Sequence, residues 1–79
     1  MKIQIKSILE AHKLRTGENV SLYRLAKEMT DKGLFRSFES ARGMIYYNTS
    51  GKAKMLDIDL IKFLMSRFNI DNMNEIIEQ

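Results

Sequence analysis

Apolar side chains in this chain recur at helical rather than alternating intervals. Ile5, Ile8, Leu9 and His12 fall at i, i+3, i+4 and i+7, while Lys2, Lys6, Glu10 and Lys13 occupy other faces. A repeat of 3.6 residues per turn gathers the first set into one stripe, which predicts an amphipathic helix of about ten residues. The alternation over Met1-Lys2-Ile3-Gln4-Ile5 also permits a short strand. Arg15-Thr16-Gly17-Glu18-Asn19 is polar, contains glycine and breaks the period, so it is read as a loop. Ser21 then fits an N-cap, because its hydroxyl can accept an unpaired amide of the first helical turn. The helix it opens, near 21–32, carries Leu22, Leu25, Ala26 and Met29 as its buried stripe. Gly33 fits the left-handed stop, with Leu34 folding back as the apolar contact.

Ser37 is the next N-cap. Stepping 100° per residue puts Phe38, Ala41, Met44 and Ile45 on the inward side of a helix near 37–47. Asn48 to Lys54 is small, polar and basic, without periodicity, and is read as a loop. Asp57 can cap a fourth helix, with Leu56 before the cap placed to pack on Ile61. Leu60, Ile61, Leu64, Met65 and Phe68 make that helix the most apolar of the chain. Asn72 with Glu75 three residues on predicts a short last helix near 72–78, carrying Met73, Ile76 and Ile77. The expected architecture is an all-α domain of four to five helices, with its core over about residues 3–70.

Composition narrows what such a domain can do. Seventy-nine residues suffice for one domain with one small core. The chain has no cysteine, which excludes disulfides, thiolate metal sites and cysteine nucleophiles. Its single histidine, His12, cannot build a multi-histidine zinc site, and its place on the apolar side of the first helix suits packing better than catalysis. Neither an enzyme nor a cofactor or small-molecule substrate is expected. No apolar run approaches the ~18–20 residues that span a bilayer, and the start lacks the uninterrupted apolar stretch of a signal peptide, so a cytoplasmic protein without membrane partners is expected. Ser50-Gly51-Lys52-Ala53 lacks the glycine spacing and the following Ser/Thr of a phosphate-binding loop, and Asp57 and Asp59 do not continue into a calcium loop.

Charge supplies the functional pointer. The formal net charge is +3, but residues 1–54 hold eleven Lys/Arg against five acids, whereas residues 55–79 hold two against five. A basic front and an acidic tail suit a protein that meets a polyanion on one side, with nucleic acid the first candidate. Two helices joined by a glycine-containing turn within such a domain form the ground plan of a helix-turn-helix reader.

The residues support a resemblance at this point. Ser21-Leu22-Tyr23-Arg24-Leu25-Ala26-Lys27-Glu28 resembles the first motif helix of the lambda repressor and Cro-like helix-turn-helix family, with Ala26 at the small position where the two motif helices cross. Met55-Leu56-Asp57-Ile58-Asp59-Leu60-Ile61-Lys62-Phe63-Leu64 resembles its fourth helix and lead-in, and the Gly51-Lys52 loop is similar to its basic loop after the recognition helix. The resemblance spans roughly residues 3–72. The loop Arg15–Val20 and the turn Thr30–Arg36 are longer than the family's usual connections.

The family's roles, carried across, place Ser37, Glu39, Ser40, Arg42, Gly43 and Tyr46 near DNA. The helical wheel alone sets Arg36, Glu39, Gly43, Tyr46 and Tyr47 opposite Ala41, with Arg42 and Ser40 on the flanks. Arg36 and Arg42 can bond guanine O6 and N7 in pairs, or act as phosphate clamps or solvated charges. Gly43 costs ~1 kcal/mol relative to alanine within a helix, which fits a close approach of DNA or a helix that ends or kinks there. Glu39 can accept from cytosine N4, repel wrong sequences or pair with Arg42. One of Tyr46 and Tyr47 is expected in the core and the other at a phosphate or a thymine methyl. Asn48, Thr49, Ser50, Lys52 and Lys54 are expected to hold phosphates.

The resulting expectation is a sequence-specific regulator of transcription, a repressor, that binds double-stranded DNA as a homodimer through Met73, Ile76 and Ile77 or the exposed part of the fourth helix. The competing expectation keeps the fold but makes it a protein-interaction module, such as an antitoxin or adaptor.

Overall fold

A computed structural model describes residues 2–78 and contains four helices: α1 (Ile5–Thr16), α2 (Leu22–Asp31), α3 (Phe38–Thr49) and α4 (Ile58–Phe68). Met1, the first position of the alternating stretch, and Gln79 lie outside the described residues. Three helix starts sit on the expected side chains. Ser21 Oγ accepts the Arg24 amide at 3.0 Å, Ser37 Oγ accepts that of Ser40 at 3.1 Å, and Asp57 Oδ1 accepts that of Leu60 at 2.8 Å. Each bond satisfies one of the amides that a helix start leaves unpaired. Gly33 closes α2 with φ at 77°, which lets its own amide reach Thr30 O at 3.0 Å and the Leu34 amide reach Met29 O at 3.1 Å. That bond pair is the Schellman stop. Asn69 takes the same left-handed role after α4, at φ 54°.

The fold is a small all-α domain with a minimal sheet. Lys2–Ile3 (β1) pairs antiparallel with Ile77–Glu78 (β2), placing Lys2 opposite Glu78 and Ile3 opposite Ile77. One apolar cluster gathers Ile3, Ile5 and Ile8 with Leu25, Ala26 and Met29 of α2 and Ala41 and Ile45 of α3. From α4 it takes Leu60, Ile61, Phe63, Leu64 and Phe68. Among the described residues no helix is long and apolar enough to cross a membrane.

Several expectations are corrected here. The C-terminal helix is absent: a three-residue 3-10 turn, Met73–Glu75, follows the Asn72 cap, and the chain then extends into β2. A segment this short cannot sustain a helix by its own propensity, and pairing with β1 supplies partners that a helix would not. Gln4 donates its amide to Ile76 O at 2.7 Å, and Ile76 is wholly buried. Ile76 and the half-buried Ile77 therefore pack on the chain's own core, which removes Ile76 from the expected dimer surface, and only Met73 of that trio is exposed. Leu22 is exposed rather than part of the α2 stripe, and Leu34 leaves the core contact to its neighbour Phe35. Phe63 and Val20, outside the expected stripes, are buried.

A polar network joins the helices on one side. His12 Nε2 donates to Glu18 Oε1 at 2.7 Å, and Glu18 Oε2 accepts from Arg24 at 2.8 Å. Arg67 Nε donates to Glu28 Oε1 at 2.8 Å, Arg24 lies 3.3 Å from the other Glu28 oxygen, and Arg67 also reaches Glu18 at 3.4 Å. Two carboxylates and two guanidinium groups thus alternate around a ring that ties the loop after α1 to α2 and α4, with His12 joining α1 to it. The hydrogen bond from His12, joined by those from Arg24 and Arg67, lowers the Glu18 pKa to about 2 from 4.5, against the upward push of its partial burial.

A carboxylate lowered in this way favours the folded state fully above its unfolded pKa, and the benefit disappears as pH falls through the folded value. The expected outcome for Glu18→Gln is lower stability at neutral pH and a flatter acid dependence between pH 4.5 and about 2, measured by urea unfolding across that window. Parallel acid profiles for the two proteins would remove Glu18 as a source of acid sensitivity.

Candidate nucleic-acid interface

The orientation of α3 follows from what it buries. Ala41 and Ile45 are inaccessible and Phe38 and Met44 half-buried against the core, which turns Glu39, Ser40, Arg42, Gly43, Tyr46 and Tyr47 outward. Arg36 is exposed just ahead of the helix. Neither tyrosine is in the core: Tyr46 is 70% exposed and Tyr47 47%. The expectation of one buried tyrosine fails because the turn after Ile45 is filled by Asn48 instead.

Gly43 lies within an unbroken helix that continues to Thr49, so the helix does not end there. A Cβ placed on it would meet nothing within 4 Å. No internal contact requires the glycine, so its helix cost of ~1 kcal/mol is not offset by packing within the chain. Arg42 holds its guanidinium 5.8 Å from the centre of the Phe38 ring, which lies 4.8 Å from Tyr23 of α2. This aromatic pair, which sequence reasoning missed, links the first turns of α2 and α3 beneath the arginine.

Asn48 is corrected from a phosphate contact to a buried clamp. Only 1% of it is exposed; Nδ2 donates to Met44 O at 2.8 Å, and Oδ1 accepts the Asp57 amide at 3.0 Å. The side chain fastens the end of α3 to the start of α4, two segments nine residues apart. Ser37, Thr49 and Ser50 are also partly engaged. The Ser37 hydroxyl caps α3 and bonds to Ser40 Oγ at 3.1 Å, and those of Thr49 and Ser50 donate to Tyr46 O and Tyr47 O. All three residues are half-buried. Lys52 and Lys54 are exposed on either side of buried Ala53, so the apolar anchor between them holds the loop down while both ammonium groups face solvent.

A groove of about 870 Å3 runs beside this helix, between β1, the first turns of α1 and α2, and the second half of α3. Arg42, Tyr46 and Lys52 border it, together with Lys2, Lys6 and Tyr23, which the sequence did not associate with them. Meanwhile Arg24, counted in the basic front, is neutralised by Glu18 and Glu28. No three acidic or histidine side chains among the described residues are placed to hold a metal ion.

Replacing the buried Asn48 side chain by a methyl leaves the half-buried Asp57 amide without its partner, a loss of about 1–3 kcal/mol. Asn48→Ala is therefore expected to lower the unfolding free energy by that amount in urea titration, as a surface contact would not. The chain matches no family model, no curated protein and no solved structure.

Proposed function

We propose that the chain is a cytoplasmic, sequence-specific DNA-binding regulator that lays the outward face of α3 in the major groove of double-stranded DNA, on a helix-turn-helix plan. The observation that carries this is the unbroken exposed face of α3. It presents Arg36, Glu39, Arg42 and Tyr46 around a glycine with open space above it, followed by Lys52 and Lys54. An α-helix fits the width of the major groove, arginine can bond guanine there through both of its terminal nitrogens, and an outward glycine permits a base edge or phosphate to come close. The lysines supply charge that positions without specifying. Binding is the whole activity in this reading, with no reaction catalysed. Repression follows most directly, since an occupied site is closed to other proteins.

Such readers gain affinity by pairing half-sites as two-fold dimers. The tail being used internally, the surface that fits a second copy is the lead-in and first turn of α4, where Met55 (84%) and Ile58 (55%) are exposed. The same exposed apolar groups, with Leu14, favour the second reading, a protein-interaction module on this fold.

Two measurements test these points. Arg42→Ala is expected to cost about 1–3 kcal/mol on the preferred duplex and to flatten discrimination at one position, whereas Lys52→Ala weakens all sequences alike and lowers the salt slope by about one unit. Equal losses for both variants on preferred and random DNA would leave a non-specific binder. Absence of duplex binding by the wild type would shift the weight to the interaction module. Sedimentation of the wild type is expected to show a dimer on two-site DNA, and Ile58→Glu a monomer with intact helices by circular dichroism.

A further inference from the structure

The groove beside α3 has chemistry that a duplex cannot use. Its volume of about 870 Å3 lies within the range of pockets that hold one small ligand. Beneath it lie Ile3, Ile5 and Ile45, all nearly inaccessible, and Tyr23 and Tyr46 border it with most of their surface free. Lys2, Lys6, Arg42 and Lys52 stand around the same opening. The one acid in the lining, Glu78, is already paired with Lys2 at 3.6 Å, which leaves three cations without a carboxylate among the lining residues.

An apolar floor, two tyrosine rings and a cationic rim suit a molecule that is flat and aromatic at one end and anionic at the other. Inorganic phosphate has no use for the floor or the rings. Duplex DNA exposes its phosphates and base edges but keeps the faces of its bases stacked inside, so it has no flat aromatic face to lay on the floor and the rings. A free nucleotide presents both parts: its base can stack on aromatic side chains, and its phosphate can take charge-assisted bonds from lysine and arginine.

We propose that this groove binds a nucleoside phosphate, with the base against Tyr23 and Tyr46 and the phosphate on Lys6, Arg42 and Lys52, and that occupation excludes DNA. The exclusion rests on the DNA-binding reading above, because Arg42, Tyr46 and Lys52 are shared between groove and duplex face. The binding site does not rest on it. A ligand that takes the shared arginine and fills the space beside α3 competes with the duplex directly, so each lowers the apparent affinity of the other.

The test is calorimetric titration of the full chain with AMP, adenosine and ribose 5-phosphate, together with displacement of a labelled duplex by AMP. AMP is expected to bind at least about tenfold more tightly than either fragment and to displace the duplex. Lys6→Gln and Tyr23→Leu, neither assigned to the duplex, are expected to weaken AMP about tenfold while circular dichroism and duplex affinity stay close to wild type. Equal binding of ribose 5-phosphate and AMP would reduce the groove to an anion patch and overturn the proposal. So would no AMP binding at millimolar concentration, or binding of a single-stranded oligonucleotide without binding of AMP. AMP binding that leaves the duplex in place overturns the exclusion. If the wild type binds no duplex but binds AMP, and both variants lose AMP, the regulator reading falls and the nucleotide site stands.

Discussion

Ala26 on α2 and Ala41 on α3 are both wholly inaccessible members of the one apolar cluster, and a larger side chain at either position would have to displace packed neighbours. Close-packed interiors resist added volume, with a typical penalty of about 1–3 kcal/mol for each overpacked site. The approach of α2 to α3 sets the orientation of both. It turns Ala41 and Ile45 inward, and everything the α3 face can do depends on the resulting outward set. The same approach brings the first turn of α2, with Tyr23, beside Phe38 and Arg42.

Polar groups then fix what the apolar cluster leaves free. A buried amide side chain is tolerated only when its donors and acceptors are met, and Asn48 meets that condition by bridging Met44 and Asp57. The bridge decides where α4 begins relative to the end of α3, and with buried Ala53 it decides where Lys52 and Lys54 are presented. The ring of Glu18, Arg24, Glu28 and Arg67 acts on the opposite problem, holding α4 and the loop after α1 against α2. It also removes Arg24 from the charge available to a ligand. Lys6, Arg42 and Lys52 of the groove, by contrast, enter no ion pair among the described residues, so pairing partners as well as net charge decide which cations a ligand could use.

Features with partners a few residues away were legible in the amino-acid order. Ser21, Ser37 and Asp57 cap the helices expected of them because each accepts an amide three residues on, and Gly33 stops α2 through bonds to Thr30 and Met29. The helical period likewise determined that Ala41 and Ile45 face in while Arg42, Gly43 and Tyr46 face out, since a side chain's direction on a helix depends only on its place in the turn. Tertiary structure decided the rest. The tail became a strand because Ile76 and Ile77 meet a segment more than seventy positions earlier. Asn48 became a clamp because α4 brings it an amide, and Glu18 gathered hydrogen bonds from three elements. Lys6 and Tyr23 came to share a groove with Arg42 because packing brought the starts of α1 and α2 beside α3. None of these pairings leaves a trace in local spacing, since each depends on distances that exist only after the chain has closed on itself.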